Sequence, residues 1–231
     1  MDAEFLEVLL HDLRGPVSRC RILGELLVRQ TPDLPEETRT LVHHIEGSAT
    51  AAENVLEAVR RFANAVGLSF QPAYFELRLA VDGAVARLTS QIAAAGAQVT
   101  YRELPVIYGD RAQMTVLFEE LIGNALRFRS GEALRIEIAA APVEQDTQWQ
   151  ISIADNGIGL PEQNPSRVFR PLAKRDANAR PGIGLTICRH IAKLHGGELT
   201  AVPLAHGAEF RLRLPQSQTA AAGRPGAASG L

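Results

Sequence analysis

Hydrophobic positions recur along the first part of the chain at alternating steps of four and three, the spacing of helices that pack along one side. In the first of two such stretches the positions are Leu6, Leu10, Leu13, Val17, Cys20, Gly24 and Leu27. In the second they are Leu41, Ile45, Ser48, Ala52, Val55, Val59, Phe62 and Val66. Between them, residues 31–37 (TPDLPEE) carry two prolines and acidic residues, which end one helix and begin another. The pattern predicts a helical hairpin over residues 2–67.

The apolar surface of this hairpin indicates its oligomeric state. Two helices alone bury too little apolar surface, and a hairpin with a sustained seam usually forms a four-helix bundle by pairing with a second copy. We therefore expect a homodimer through residues 1–67.

After Pro72 the pattern changes to short β-type runs mixed with helices. Strands are predicted in AYFEL, AQVTYRE, LRIEIAA, WQISIAD, Glu198–Val202 and Ala208–Leu214. Helices are predicted near Leu79–Ala95, Arg111–Arg127 and Ile183–Leu194. These elements predict a second domain of the α+β class over residues 68–215, with mostly antiparallel strands. Residues 216–231 are small, polar and turn-rich, and we expect them to be disordered.

Composition and charge exclude several functional classes. Of the 231 residues 46% are hydrophobic and 22% are charged, which is typical of a globular protein. The net charge of −2 provides no basic field for a nucleic-acid backbone, so no nucleic-acid partner is expected. The beginning of the chain is acidic, unlike a signal peptide, and no run of eighteen apolar residues occurs, so we expect no membrane insertion and a cytoplasmic location.

The first candidate for chemistry is His11, in the segment HDLRGP. It follows the seam position Leu10, so its imidazole should lie beside the apolar stripe and face water. Asp12 can hydrogen-bond one ring nitrogen and leave the other as a nucleophile. A surface histidine without a function is the alternative, and these two residues alone do not decide between them.

A second candidate group lies on the helix in FEELIGNALRFRS. Glu120, Asn124 and Arg127 fall at positions i, i+4 and i+7, on one face of that helix. A carboxylate and a carboxamide oxygen are hard ligands suited to Mg²⁺, and the arginine can reach phosphate oxygens. A solvated helix face is the alternative.

Two glycine-containing segments complete the set. In DNGIGLP, Asp155 ends a strand and precedes Gly157 and Gly159, so its carboxylate can accept a hydrogen bond from an exocyclic amine such as that of adenine. In RPGIGL, Gly182 and Gly184 precede a helix whose unpaired N–H groups and dipole favour phosphate. Each segment in isolation is equally compatible with an ordinary turn.

The order of these segments is more specific than any one of them. HDLRGP, ELIGNALRF, DNGIGL, VFRPLAKR and GIGLTICRHIAKLHGG resemble the H, N, first glycine, F and second glycine boxes of sensor histidine kinases. The resemblance covers residues 2–215. The segments HDLR and ALRFRS are similar to the corresponding segments of the bacteriophytochrome-type branch. It implies a dimeric helical hairpin followed by the α/β-sandwich ATP-binding domain shared with gyrase, mismatch-repair and heat-shock chaperone ATPases.

The resemblance also implies roles for individual residues. His11 matches the phosphoaccepting histidine and Asp12 the acid that orients it. Asn124 matches the Mg²⁺-binding asparagine, Arg127 the basic residue on the phosphates of ATP, and Asp155 the aspartate that recognises adenine. The glycines of the nucleotide pocket correspond to Gly157, Gly159, Gly182 and Gly184. Phe169 matches the aromatic residue of a mobile lid, which would comprise residues 160–181.

Three positions depart from the family pattern. Glu120 stands where the family usually has asparagine. Arg180 and Pro181 replace the usual beginning of the second glycine box, which can weaken the phosphate cradle. Gly15 stands where members with phosphatase activity carry threonine or asparagine.

The expected function is therefore an ATP-dependent protein-histidine kinase that phosphorylates His11 and passes the phosphoryl group to an aspartate of a response-regulator receiver domain. One alternative is a non-catalytic adaptor with a degenerate nucleotide pocket, and another is an ATPase in which Glu120 activates water. Because only ten residues precede His11, we expect that a sensor domain has been removed from the sequence or that a separate sensor protein supplies the signal.

Overall fold

The computed structural model describes residues 3–67, 70–143, 147–161, 163–170 and 183–216. The chain forms two compact units, one comprising Met1–Leu68 with Val168–Gly184 and the other Ser69–Arg167 with Leu185–Leu231. Of the predicted tail, Gln216 is described and its N–H donates to the carbonyl oxygen of Thr147 at 3.0 Å, whereas residues 217–231 lie outside the described residues, as do residues 162 and 171–181 of the predicted lid.

The first unit contains two long helices, α1 (Ala3–Gln30) and α2 (Glu36–Gly67), which pack against each other. Both occur where the seam pattern predicts them, and α1 continues through Pro16. α2 begins with Glu36 and Glu37, which complement the positive end of its dipole. In the described part of the chain, no helix has both the length and the apolar composition required to cross a bilayer.

The predicted seam is only partly buried within one chain. Leu10 and Gly24 are buried on α1, and among the α2 residues whose burial the structure describes, Val42 and Ala49 are buried. The predicted seam residues Leu41 and Ile45 are instead 62% and 53% exposed. The contact within the hairpin is therefore displaced by one residue from the predicted line, and part of the apolar stripe of α2 faces away from α1.

The second unit begins with β1 (Ala73–Glu76) and α3 (Leu77–Ala95). The remaining elements are β2 (Gln98–Tyr101), β3 (Val106–Gly109), α4 (Arg111–Arg127), β4 (Arg135–Val143), β5 (Gln148–Asp155), a 3-10 helix (Pro165–Phe169), α5 (Gly184–Leu194), β6 (Glu198–Pro203) and β7 (Ala208–Pro215). Five strands form a sheet in the order β2-β4-β5-β7-β6, in which only β2 and β4 of the described strands pair in parallel. The α+β class with mostly antiparallel strands is thus confirmed.

Alternation along the sheet strands defines its buried face. On β4 and β5 the side chains of Ile136, Ile138, Ile151 and Ile153 are buried, whereas Glu137 between them is exposed. The buried side of α4 carries Met114, Leu117, Phe118 and Leu121. The strand registers bring Asp155, at the end of β5, opposite Ala208 at the beginning of β7. This edge of the sheet carries the candidate site.

β3 was not among the predicted strands. It pairs with β1 as a separate two-stranded antiparallel sheet, with Phe75 opposite Ile107. The run is only four residues long and follows a proline, so the sequence gives little periodicity to recognise.

Candidate functional site

The polar side of α4 is positioned by signals at both ends of the helix. Asp110 caps its beginning, where Oδ1 accepts the N–H of Gln113 at 3.1 Å. At its end, the N–H of Phe128 donates to the carbonyl oxygen of Asn124 at 3.0 Å. Glu120 and Asn124 are half-buried and Arg127 is exposed, so all three lie outside the hydrophobic core, as the spacing predicts.

Asp155 lies at the end of β5 with its carboxylate held by the backbone. Its Oδ1 accepts the N–H of Gly157 at 2.8 Å, and the N–H of Ala208 also donates to the carboxylate. Burial raises the pKa of Asp155 above its ordinary value, and the two backbone hydrogen bonds partly oppose this shift. The half-buried carboxylate is therefore an oriented hydrogen-bond acceptor.

The glycine loop after β5 is attached to the end of α4. The N–H of Ile158 donates to the carbonyl oxygen of Phe128 at 3.0 Å. At Gly157 a Cβ atom would lie 2.5 Å from that same oxygen, so a larger residue would push the loop away. Phe128 thus joins the loop that carries Asp155 to the helix that carries Asn124. The structure brings these two predicted site residues onto adjoining elements.

Two supporting residues were missed in the sequence analysis. Gly207, in the turn between β6 and β7, has φ of +92°, and a Cβ there would lie 1.7 Å from the backbone oxygen of Asp155. Asn156 connects the glycine loop to the beginning of β4: its Oδ1 accepts the N–H of Arg135 at 2.7 Å, and its Nδ2 donates to the oxygen of Ala133 at 3.0 Å. No local sequence pattern indicates either role, because Gly207 packs against the backbone of Asp155 and Asn156 bonds to Arg135, both distant in the chain.

The remaining predicted residues are described less completely. His11 lies within α1, but its side chain is outside the described part, and Asp12 is exposed on the same helix. Phe169 is buried at the end of the 3-10 helix. Gly184 is the first residue of α5. Gly182, Arg180 and Pro181 lie outside the described residues, so the predicted phosphate cradle at this segment stays a prediction.

The donor set on α4 fits a magnesium ion held jointly with a nucleotide. Glu120 offers a carboxylate and Asn124 a carboxamide oxygen one turn apart. Among the residues that the structure describes, no group of three or more His, Cys, Asp or Glu side chains forms a protein-only metal cage. Mg²⁺ commonly takes one or two protein oxygen ligands and completes its shell with water and substrate phosphates, so two such donors are sufficient.

Comparison with known proteins identifies the family. Residues 109–218 match the model of the histidine kinase-, DNA gyrase B-, and HSP90-like ATPases. Over 219 residues the chain is 31% identical to cyanobacterial phytochrome A of Nostoc sp. strain PCC 7120, covering 92% of this chain and 28% of that protein. It is 37% identical over 122 residues to the signal transduction histidine-protein kinase AfsQ2 of Streptomyces coelicolor, covering 51% of this chain and 22% of that protein. The chain is a homologue of the sensor histidine kinases.

A solved structure supports the same fold for this histidine kinase homologue. Full-length ShkA, determined in complex with AMPPNP, superposes with a TM-score of 0.63 at 22% identity, covering 93% of this chain and 46% of ShkA. At this identity the similarity concerns the fold, which is a helical region followed by an α/β-sandwich ATPase domain. The chain spans less than a third of the length of the phytochrome and AfsQ2.

Proposed function

We propose that this chain is an ATP-dependent protein-histidine kinase that phosphorylates its own His11. The observation that carries the proposal is the attachment of the Asp155 loop to the end of α4 through the carbonyl oxygen of Phe128. This attachment supports one continuous site. In it, Asp155 would accept a hydrogen bond from adenine, and side chains of α4 would bind the metal ion and the phosphates. The match to the ATPase family over residues 109–218 supports the same assignment.

In this proposal the ends of ATP are recognised by different residues. The carboxylate of Asp155 accepts a hydrogen bond from the exocyclic amine of adenine, and Gly157 lets the loop that carries Asp155 pack against the carbonyl oxygen of Phe128. Arg127 binds phosphate oxygens, as do the backbone N–H groups of Gly184, which begins α5, and of Gly182, which precedes it in the sequence. Mg²⁺, held by Asn124 and Glu120, would neutralise phosphate charge.

The proposed reaction is an in-line phosphoryl transfer to His11. An imidazole nitrogen forms a bond to the γ-phosphorus while the bond from this phosphorus to the oxygen bridging the β-phosphate breaks, and ADP leaves. Asp12 holds the imidazole in the reactive tautomer. The phosphoryl group then passes to an aspartate of a response-regulator receiver domain, and a separate sensor protein or a further part of the protein supplies the signal.

The proposal includes a homodimer formed by α1 and α2. Apolar side chains on these helices remain exposed in the single chain, and they include Leu13, Leu23, Leu27, Leu41 and Ile45. Pairing with a second hairpin into a four-helix bundle would cover this surface. A cytoplasmic location remains a prediction from the sequence.

Incubation with γ-labelled ATP and Mg²⁺ tests the proposal. We expect acid-labile, base-stable phosphate on the chain, and we expect His11→Gln to abolish the label while nucleotide affinity is retained. The matched control is His44→Gln, which changes an exposed histidine of α2. Equal labelling of His11→Gln and the parent would exclude His11 as the acceptor. Absence of nucleotide binding would favour the adaptor, and phosphate release that requires Glu120 without labelling would favour the ATPase.

A further inference from the structure

A buried histidine connects the end of α5 to the beginning of α4. His195 is the first residue after α5 and is only 7% exposed. Its Nδ1 lies 2.8 Å from the carbonyl oxygen of Ile191, and its Nε2 accepts the N–H of Asp110 at 2.9 Å. Because a carbonyl oxygen only accepts hydrogen bonds, the proton of the neutral ring is on Nδ1. Both ring nitrogens therefore have defined roles.

Asp110 joins this histidine to two further parts of the domain. Besides capping α4 through Gln113, its carboxylate accepts the N–H of Gln71 at 2.8 Å through Oδ2. Asp110 itself is 5% exposed. One aspartate thus connects the end of α5, the beginning of α4 and the segment by which the chain enters the sheet domain.

Phe70 extends the same connection. Its ring contacts the imidazole of His195 edge-on, with the ring centroids 5.0 Å apart and the planes at 89°. Phe70 and Gln71 are the first described residues after α2, so they belong to the covalent connection from the helical hairpin. Gly109 allows this packing, since a Cβ there would lie 2.5 Å from Cδ2 of His195. Phe70, Gln71, Asp110 and His195 form a unit that we name the entry anchor.

We infer that His195, Asp110 and Phe70 are positioning residues for phosphoryl transfer, which fix the connection from the hairpin to both helices of the nucleotide site. The inference rests on the proposed kinase function. Because α4 carries Asn124 and Arg127 and α5 begins at the second glycine box, nucleotide binding is expected to reinforce the entry anchor, and the anchor is expected to affect transfer more than affinity. None of the anchor residues touches the nucleotide in this proposal.

The principal test compares Phe70→Ala with Tyr74→Ala. Tyr74 is the matched control, because it is an exposed aromatic of the same domain whose ring also contacts another ring, that of Tyr108, at 5.0 Å. We expect Phe70→Ala to lower the maximal rate of autophosphorylation by about tenfold, a modest loss of positioning. The dissociation constant for AMPPNP should change less than about twofold, since affinity is held by other residues. Phe70→Tyr, which keeps the ring, should restore the rate, and Tyr74→Ala should match the parent.

Hydrogen exchange provides a readout that needs no catalysis. AMPPNP with Mg²⁺ should slow exchange of the Gln71 and Gln113 amides in the parent, and His195→Phe, which lacks the acceptor for the N–H of Asp110, should abolish the effect at Gln71. The inference is overturned if Phe70→Ala labels at the parental rate, if Tyr74→Ala loses as much activity, or if AMPPNP binds without changing exchange at Gln71. Failure of the parent to bind AMPPNP would instead remove the proposed function together with the inference.

Discussion

Asp155 shows how a single residue can be prepared for a ligand by its backbone neighbours. The N–H groups of Gly157 and Ala208 already fix its carboxylate, so little side-chain entropy is left to lose when a base binds. Burial raises the pKa of the group, which means that the ionised form lacks part of its solvation. An amine donor from a bound base would replace part of that missing solvation.

Replacing Asp155 by asparagine should therefore weaken ATP binding. Loss of a hydrogen bond to a charged acceptor in a partly desolvated site costs about 1.5–3 kcal/mol, roughly one to two decades of affinity. Discrimination against GTP should fall as well. Equilibrium titration with each nucleotide gives both values, and Glu137→Gln, an equal change of charge on an exposed position of β4, should leave them unchanged. An unaltered ATP affinity in Asp155→Asn would mean that the residue only orders the loop.

Some residues of the candidate site could be predicted from the sequence and others could not. Asp155, Gly157 and Asn124 occur in short segments whose residue types already suggest a ligand. Asp110 and His195 do not, because their hydrogen bond joins positions 85 residues apart. Gly207 is necessary because another part of the backbone passes close to it, which no local pattern records.

Helices and strands that depend on local sequence signals were predicted, whereas those that depend on contacts distant in the chain were not. The bounds of α4 were predicted correctly because an N-capping aspartate and a continuous apolar periodicity are local signals. α3 begins two residues earlier than predicted, at Leu77, whose N–H donates to the oxygen of Pro105. β3 forms because β1 pairs with it, and the sequence gives no sign of that pairing.

The hydrogen bond from the N–H of Asp110 to Nε2 of His195 connects α4 to α5, and it makes the stability of the sheet domain depend on pH. Burial lowers the pKa of His195 below its ordinary value of 6.5. Above pH 6.5 His195 is neutral in both the folded and the unfolded chain, and the contribution of its buried neutral ring to the free energy of unfolding is complete. As the pH falls towards the lower pKa of the folded chain, this contribution is lost, because the unfolded chain takes up the proton first. A single proton limits the slope to about 1.4 kcal/mol per pH unit.

Urea unfolding between pH 7.5 and 5.5 measures this dependence. Trp149, the only tryptophan in the sequence, lies on β5 and reports the unfolding of the sheet domain by fluorescence. We expect the free energy of unfolding to fall across this range in the parent and in His206→Gln, which changes an exposed histidine. In His195→Gln the domain should be less stable at pH 7.5 but should lose less on acidification. An identical slope in His195→Gln and the parent would assign the dependence to other groups.

At the scale of the whole molecule, the hairpin exposes apolar side chains that no other part of the described chain covers. Leu41 and Ile45 continue the predicted seam but are exposed, while Val42 and Ala49 beside them are buried within the chain. A helix that follows two adjacent apolar lines is suited to contact two different neighbours. One neighbour is α1 of the same chain, and a second hairpin is expected to be the other.

The double variant Leu41→Glu with Ile45→Glu should therefore dissociate the proposed homodimer. Burying one such side chain contributes about 1.5–3 kcal/mol, and a symmetric dimer would lose four of them, so the dimerisation constant should fall by several decades. Sedimentation equilibrium should give the mass of two chains for the parent and of one chain for the variant. The matched control is Leu79→Glu, at an exposed leucine of α3, which should remain dimeric. Since both substituted positions are exposed in the single chain, the variant should keep its helical circular dichroism, and a dimer that survived both glutamates would place the interface on another face.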